Sequence, residues 1–295
     1  MSIKLDLYKV FNAVCKYESF SKAGKVLYMT QPAVSQAIMQ LERELEVGLF
    51  IRNSRGVKAT KEGKLLFEYI SSALNLIDAG EKKVHESKEL MSGELKVGVG
   101  DTISRYFLLP YLEVFHNRYP NIDLKIINRT TLELCPLLKS GKIDIAICNL
   151  PIKDTSIKVK ELMDIEDIFV CGQKYKNQIS KDINLEDLGK FPLILLEPTS
   201  NSRQYVEKYM LTKGIKIKPE IELGSHDLLL EFAKINLGIS CVVKEFSKQY
   251  LDKGVLYELP ITEKIPKRGI GVCFLKSLSL SPSSVKFVEI LEEKS

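Results

Sequence analysis

The sequence predicts an α+β multidomain protein with an N-terminal winged helix-turn-helix, a long linker helix and two α/β lobes. Three observations lead to this prediction. Short amphipathic helices fill the first 60 residues, a heptad pattern of apolar residues follows, and beyond Gly93 short runs rich in Val and Ile alternate with amphipathic helices. Strands that alternate with helices are typical of βαβ units and a mostly parallel sheet. We therefore expect domains at about 1–60, 61–91 and 92–295.

The net charge of the 295-residue chain is +5, and it is concentrated near the N-terminus. Residues 1–60 hold nine basic and five acidic side chains, whereas the remaining 235 residues carry only +1. A basic head on a nearly neutral body favours contact with a polyanion, although a solvated charged face would give the same count. No apolar stretch reaches the roughly 18 residues of a membrane span, and no secretory signal pattern opens the chain. We expect a cytoplasmic protein with no membrane partner.

The first 60 residues show the helix-turn-helix pattern followed by a wing. Apolar residues recur at helical spacing in two segments. They are Leu7, Val10, Phe11 and Val14 in the first helix, and Val34, Ile38, Leu41 and Leu45 in the third. Ser21 is the expected cap of a short second helix, and Thr30 and Pro32 suit the cap and first turn of the third. Residues 49–60 then predict two short strands around an Asn-Ser-Arg-Gly turn.

Residues 61–91 predict one long helix with a heptad seam. Ile70, Ile77, Val84 and Met91 repeat every seven residues, and small or apolar residues fill the alternate positions. Such a seam indicates pairing with another helix. Packing of the same helix on its own winged domain is the alternative, and the two arrangements are compatible.

A long ordered string of residues resembles the signature of the LysR-type transcriptional regulators. It comprises Ala23-Gly24, Gln31-Pro32-Ala33-Val34-Ser35, Leu41-Glu42, Leu49-Phe50-Ile51-Arg52 and the segment TKEG at 60–63. The rest of the chain is similar to the family in its layout. The resemblance implies DNA binding, lobes like those of periplasmic binding proteins, an effector between them, a homotetramer and contact with RNA polymerase. Gly24 departs from the usual alanine, and Gln36 stands where many members have arginine.

The resemblance and helix geometry together identify candidate DNA-contacting residues. A helix that enters the major groove reads bases with its N-terminal turns. We assign base contacts to Gln31, Pro32 and Gln36, because glutamine can bond the adenine edge and proline can contact a thymine methyl. Phosphate contacts are assigned to Lys22, Thr30, Ser35, Arg52, Ser54 and Arg55. For each polar residue taken alone, a solvated helix face is the alternative.

The candidate effector residues follow predicted strands, where loops and helix N-termini meet. They are Asp101, Thr102, Ser104, Thr130, Thr131 and Asn149 in the first lobe, and Thr199, Ser200, Ser202, Arg203, Ser225 and His226 in the second. Hydroxyl and N–H donors with one arginine suit a small anion. Each residue taken alone is better explained as a helix cap than as a ligand. We expect the first lobe at about 92–163 and 267–295, and the second at 164–266.

Other functional classes find little support in the residues. The sequence has no Walker loop, HExxH, GxSxG or zinc-ligand spacing, so we expect no enzyme activity, no cofactor and no metal. A metabolite-binding module or enzyme whose N-terminal helices serve only assembly remains the alternative. Cys135 and Cys148 lie in or beside apolar runs. This position predicts that they are small buried hydrophobic residues rather than a redox pair. The effector's identity, the target genes and the sign of regulation do not follow from the sequence.

Overall fold

The computed structural model describes residues 3–53, 56–86, 93–179 and 181–293. The chain divides into two compact units, and the division along the chain falls between His85 and Glu86. In the described residues, no helix is long and apolar enough to cross a membrane.

The first unit is a winged helix-turn-helix followed by a long helix. Its elements are α1 (Leu5–Tyr17), α2 (Phe20–Leu27), α3 (Gln31–Leu45), β1 (Phe50–Asn53), β2 (Gly56–Ala59) and α4 (Lys61–Glu86). The apolar stripes of α1 and α3 meet in one core, in which Phe11, Val14, Val34, Ile38 and Leu41 are fully buried. The apolar stripes that the sequence predicts for α1 and α3 therefore pack together in one core.

Local capping fixes the turn between α2 and α3. The Thr30 hydroxyl accepts a hydrogen bond from the Ala33 amide, which caps α3 as expected. The cap of α2 is Ser19 rather than Ser21, because the helix already begins at Phe20 and places Ser21 in its first turn. A Cβ at Gly24 would lie 2.7 Å from the carbonyl oxygen of Met29, so this close turn favours glycine over the usual alanine.

Glu42 ties the recognition helix to the wing. Its Oε1 accepts hydrogen bonds from the amides of Leu49 (2.6 Å) and Phe50 (3.1 Å), where β1 begins. The strands β1 and β2 pair antiparallel, with Phe50 opposite Ala59. One carboxylate on α3 therefore sets the starting point of the wing.

Helix α4 divides its apolar residues between a buried and an exposed face. Leu66, Phe67 and Ile70 pack against the core of the winged domain. Ile77 is 37% exposed and Val84 is 61% exposed. The first residue of the expected heptad seam, Ile70, thus packs on the domain's own core, whereas Ile77 and Val84 lie at the surface. Residues 87–91 of the expected linker lie outside the described residues.

The second unit contains two sheets, which define two lobes. Lobe I contains β3 (Gly93–Val99), β4 (Ile122–Asn128), β5 (Ile145–Asn149), β6 (Ile157–Ile165) and β12 (Arg268–Leu275) in the order β4-β3-β5-β12-β6. Its helices are α5 (Asp101–Ile103), continued by a π-helical turn (Ser104–Leu108), α6 (Leu109–Arg118), α7 (Thr131–Lys139) and α12 (Pro282–Glu293). Strands β3, β4 and β5 are parallel, and β12 runs antiparallel to β5 and β6.

Lobe II repeats this arrangement. It contains β7 (Asp167–Cys171), β8 (Leu193–Leu196), β9 (Ile221–Leu223), β10 (Ile239–Val243) and β11 (Tyr257–Glu258) in the order β11-β7-β10-β8-β9. Its helices are α8 (Gln173–Gln178), a 3-10 turn (Leu185–Lys190), α9 (Asn201–Thr212), α10 (His226–Lys234) and α11 (Lys244–Asp252). In each sheet four strands run in one direction and one strand, β12 in lobe I and β7 in lobe II, runs against them, so each sheet has two parallel and two antiparallel pairings.

The chain passes between the lobes twice. The first passage is at Glu166, between β6 and β7. The expected boundary at 163–164 lies too early, because Asp164 and Ile165 still pair with β12 in the first sheet. The second passage precedes Arg268, the first residue of β12. Two closely spaced crossings leave the carboxyl ends of the parallel strands of both lobes facing one cleft.

Candidate DNA-contact helix and effector cleft

The N-terminal turns of α3 present polar side chains at the surface of the first unit. Gln31, Pro32 and Gln36 are exposed, and Ser35 is half-buried. The apolar residues Val34 and Ile38, on the opposite face, are fully buried and hold the helix against the core. The capped N-terminus of α3 therefore projects side chains suited to base edges from a rigid support.

The turn that precedes α3 adds a residue that sequence reasoning missed. Tyr28 is 99% exposed and has a left-handed backbone conformation with φ of 55°. It caps the C-terminus of α2, two residues before Thr30. A large aromatic side chain held fully in solvent, beside the candidate reading helix, is well placed to contact a phosphate or sugar. Its left-handed backbone gives no signal in the periodicity of the sequence.

Of the remaining candidate DNA contacts, Lys22 and Arg52 lie within the described residues. Lys22 is exposed in the first turn of α2, whose N-terminus is capped by Ser19. Arg52 lies on β1 of the wing. Ser54 and Arg55, expected at the tip of the wing, lie outside the described residues.

A cleft with a cavity volume of about 180 Å³ lies between the two lobes. It lies at the carboxyl ends of the parallel strands, as expected for ligand sites in α/β sheets. Lobe I contributes Gly100, Asp101, Thr102, Ile103, Asn128, Arg129, Thr130, Thr131 and Asn149; lobe II contributes Leu196, Glu197, Ser200, Asn201, Ser202, Gly224, Val243 and Phe246. Hydroxyl, amide and backbone donors outnumber the charged groups, so the cleft suits a small polar molecule.

The structure brings most, but not all, of the expected effector residues into this cleft. Asp101, Thr102, Thr130, Thr131, Asn149, Ser200 and Ser202 line it. Ser104, Thr199 and Ser225 do not, because Ser104 lies in the π-helical turn, Thr199 precedes the cap of α9, and Ser225 precedes α10. The lining residues that sequence reasoning missed include Asn128, Arg129, Glu197 and Asn201.

Some of the lining hydroxyls already have partners within lobe I. The Thr130 hydroxyl donates to Glu133 at 2.8 Å, and the Thr131 hydroxyl accepts from the Asn149 amide at 3.3 Å. The backbone and side-chain hydrogen bonds of Thr130 hold the pKa of the Glu133 carboxyl below its usual value. The Thr130 amide and hydroxyl are therefore both occupied by the Glu133 carboxylate at the start of α7.

Arg268 lies at the second chain passage and links the two lobes. Its guanidinium donates to Asp167 (2.5 and 2.8 Å) and Ser202 (2.9 Å) of lobe II, and to Asn149 Oδ1 (2.5 Å) of lobe I. The Asn201 side chain donates across the same gap to the Asn149 carbonyl oxygen at 3.3 Å. Because Asn149 and Ser202 also line the cleft, the lobe connection and the candidate ligand site share atoms.

A second connection between the lobes involves Asp227 on α10. The Tyr106 hydroxyl donates to the Asp227 carboxylate, and Arg105 forms an ion pair with it at 2.7 Å. The Tyr106 ring stacks on Phe246 with a centroid separation of 5.3 Å. Burial, followed by the hydrogen bond to Asp227, raises the pKa of the Tyr106 hydroxyl, which therefore remains a donor.

A smaller chamber with a cavity volume of about 30 Å³ adjoins the cleft. The two share Thr102, Leu196, Ser202 and Val243 in their linings. Arg203 and His226, two of the expected effector residues, line the chamber and are 5% and 3% exposed. Among the described residues, the Arg203 side chain bonds within lobe II to the Leu196 carbonyl oxygen (2.9 Å), Glu207 (2.6 Å) and Glu222 (3.6 Å).

The cysteines are reduced thiols, and burial dominates their chemistry. Cys148, Cys171 and Cys273 are buried, and burial raises the pKa of the Cys171 thiol to about 11. The pKa of the Cys273 thiol is raised by its hydrogen bond with Cys148 and by burial. Thiols held protonated in this way are poor nucleophiles. Among the described residues, no cluster of His, Cys, Asp and Glu side chains could hold a metal ion.

Family models match the chain in both units. Residues 5–64 match the bacterial regulatory helix-turn-helix protein, lysR family, and residues 88–295 match the LysR substrate binding domain. A probable RuBisCO transcriptional regulator from Emiliania huxleyi is 27% identical over 274 residues, covering 91% of this chain and 87% of the relative. The RuBisCO operon transcriptional regulator from Allochromatium vinosum is 23% identical over 291 residues, covering 99% and 96%.

Solved structures share the fold across the whole chain. A full-length OxyR variant from Pseudomonas aeruginosa superposes with a TM-score of 0.69 at 21% identity, covering 99% of this chain and 94% of that one. Full-length CbnR in complex with its target DNA gives a TM-score of 0.66 at 19% identity, covering 99% and 100%. The similarity therefore includes the helix-turn-helix and both lobes.

Proposed function

The chain belongs to the LysR family of DNA-binding transcriptional regulators with an effector-binding domain, and we propose that it reads DNA with the N-terminal turns of α3 and responds to a small anion in the inter-lobe cleft. The observation that carries the proposal is the exposed, Thr30-capped start of α3, which presents Gln31, Pro32 and Gln36 together. The proposed base contacts are these three residues. The proposed phosphate contacts are Lys22, Thr30, Ser35, Arg52, Ser54 and Arg55.

The proposed assembly is a homodimer formed through α4, and from it a homotetramer. The exposed apolar residues Ile77 and Val84 on α4 support the dimer. A dimer places two recognition helices on two half-sites of an operator. Effector binding would then shift the population of oligomer arrangements and thereby the contact with RNA polymerase. Because the proposed ligand is chromosomal DNA, we place the protein in the cytoplasm.

The test is binding of the full-length protein to the DNA upstream of its own gene, measured by fluorescence anisotropy at two salt concentrations. We expect Gln36→Ala to weaken specific binding by about 1–3 kcal/mol and to relax the preference at one base position. Gln178→Ala, which removes an exposed glutamine from α8 in the second unit, is the matched control and should have no effect.

The phosphate contacts are tested in the same assay. Lys22→Ala and Arg52→Ala should weaken binding to all sequences alike and reduce the slope of the salt dependence. Lys153→Ala, an exposed lysine of the second unit, should leave both quantities unchanged. If the protein does not bind DNA at either salt concentration, the alternative of a metabolite-binding module whose N-terminal helices serve only assembly replaces this proposal.

A further inference from the structure

We propose that the chamber beside the cleft is a subsite for a carboxylate group of the effector, held by the N–H groups of His226 Nδ1 and Arg203 Nε. This inference rests on the proposed function, because it concerns how the cleft ligand is recognised. It goes further by naming the chemical group, the chamber that receives it and the two donors that select it.

The buried His226 imidazole provides a hydrogen-bond donor for a ligand. Its Nε2 accepts a hydrogen bond from the Val243 amide at 3.2 Å. A neutral imidazole that accepts at Nε2 carries its proton on Nδ1. Among the described residues, no partner lies within hydrogen-bond reach of Nδ1, although the residue is only 3% exposed. A buried donor without a partner is costly, so Nδ1–H is a ready site for an acceptor.

The buried guanidinium group of Arg203 provides a second donor. Its Nη1 bonds the Leu196 carbonyl oxygen and its Nη2 pairs with Glu207. Nε is buried and also has no partner among the described residues. Glu207 and the Leu196 carbonyl fix the guanidinium plane, so the remaining donor is held in place before any ligand arrives.

The fully buried charged side chains around the chamber have a net positive charge. Asp167, Arg268 and Arg203 are the buried charged side chains of this region, and together they carry +1. Glu207 and Glu222 pair with Arg203 but are 32% and 45% exposed, so they keep part of their hydration. The charge that is fully buried around the chamber is therefore positive.

The N-termini of α9 and α10 lie at the chamber. Arg203 stands in the first turn of α9, and His226 is the first residue of α10. The N-termini of both helices therefore meet at this chamber and add partial positive charge. Apolar side chains complete the lining, among them Leu195, Val206 and Val242. In such surroundings a charge-assisted hydrogen bond is strong, because water does not compete for the donors.

The test compares carboxylates with their own amides. Propionate, succinate and benzoate are each paired with the corresponding amide at equal ionic strength, and binding to the full-length protein is measured by thermal shift and calorimetry. We expect at least one carboxylate to bind and its amide to bind more weakly. If the carboxylates bind no better than their amides, or if none of them binds, the carboxylate subsite is overturned.

Substitutions of His226 and Arg203, with a control at His116, locate the binding. His226→Gln keeps an acceptor for the Val243 amide but removes the Nδ1 donor, and should weaken carboxylate binding about ten-fold or more. His226→Asn keeps an amide N–H near the Nδ1 position and should retain more of the binding. His116→Gln, on the exposed face of α6, is the control and should bind as the original chain does. Arg203→Lys keeps the charge beside Glu207 without the Nε donor and should weaken binding independently of His226.

A cleft variant separates failure of this inference from failure of the proposed function. Asn128→Ala removes an exposed side chain of the cleft but does not touch the chamber. If Asn128→Ala weakens carboxylate binding and neither His226→Gln nor Arg203→Lys does, the cleft remains the effector site and the chamber inference is wrong. If none of the three variants changes the binding, both the chamber and the cleft are excluded as the site.

Discussion

Arg268 donates a hydrogen bond from Nε to the carboxylate of Asp167 at 2.5 Å, and the two side chains are only 1% and 3% exposed. This pair is the centre of the connection between the lobes, because the same guanidinium also reaches Asn149 and Ser202. The attraction between two buried charges offsets their desolvation only while both are present. Removal of one partner therefore costs far more than removal of an exposed ion pair.

We expect Arg268→Met to lower the free energy of unfolding by about 3–5 kcal/mol, because it leaves the Asp167 carboxylate buried without a partner. Urea denaturation of the full chain measures the loss. Lys286→Met breaks the pair between Lys286 and Glu289, whose side chains are about half exposed, and should leave the free energy of unfolding nearly unchanged.

The double variant Arg268→Met/Asp167→Leu tests the physical reason for this loss. Because it removes both charges, it should recover part of the stability lost in Arg268→Met. A loss in Arg268→Met as small as that in Lys286→Met would contradict the role assigned to the buried pair.

The second prediction concerns Tyr28, which is 99% exposed in the turn before α3. Tyr28→Ala should weaken DNA binding, because it removes the side chain proposed to contact the backbone of the duplex. It should leave the melting temperature unchanged, because the ring lies in solvent rather than in the core of the first unit. Tyr28→Phe separates the hydroxyl from the ring, and full binding by Tyr28→Ala would show that this side chain does not contact DNA.

The sequence predicts the helix-turn-helix well because its determinants are local. The stripe of α3 repeats within one helix, and Thr30 caps the amide of Ala33 three residues away. The lobe connection could not be predicted, because the partners of Arg268 lie at least 66 positions away along the chain. Those residues come together only when both lobes have folded.

The heptad on α4 shows a different limit of the sequence. Periodicity identifies an apolar face but does not tell which neighbour covers each residue. Ile70 is covered by the winged domain itself, whereas Ile77 and Val84 seven and fourteen residues later are exposed. Arg203 shows the same limit for charged residues: its place after a strand predicts an anion contact, but the sequence does not show that Glu207, one helical turn later, forms an ion pair with it.

The third prediction concerns dimer formation through α4. Ile77→Asp should convert the dimer to monomer and abolish binding to an operator with two half-sites, because a charge in an apolar interface is costly unless it is paired. Light scattering measures the mass. Ile235→Asp places the same change at a 60% exposed isoleucine that follows α10 and should leave the mass unchanged. Unchanged mass and operator affinity in Ile77→Asp would instead favour packing of α4 on its own domain alone.

The last prediction is a pH dependence of stability from His226. Burial lowers the pKa of its imidazole from 6.5 to about 4; Asp227 opposes this shift and Arg268 adds to it. Between pH 6.5 and 4 the unfolded chain therefore binds a proton that the folded chain does not, and stability falls as the pH falls. Each unit of pKa difference corresponds to about 1.36 kcal/mol, so His226 lowers the free energy of unfolding by about 3 kcal/mol over this pH window.

Urea denaturation at several pH values between 7 and 4 measures this contribution. His226→Gln removes the titrating group and keeps an acceptor for the Val243 amide, so it should show a shallower loss of stability toward acid pH than the original chain. His116→Gln removes an exposed histidine from lobe I and should follow the original curve. Parallel curves for the original chain and His226→Gln would show that the imidazole is not held neutral by its burial, since the carboxylates that titrate in the same range are common to both proteins.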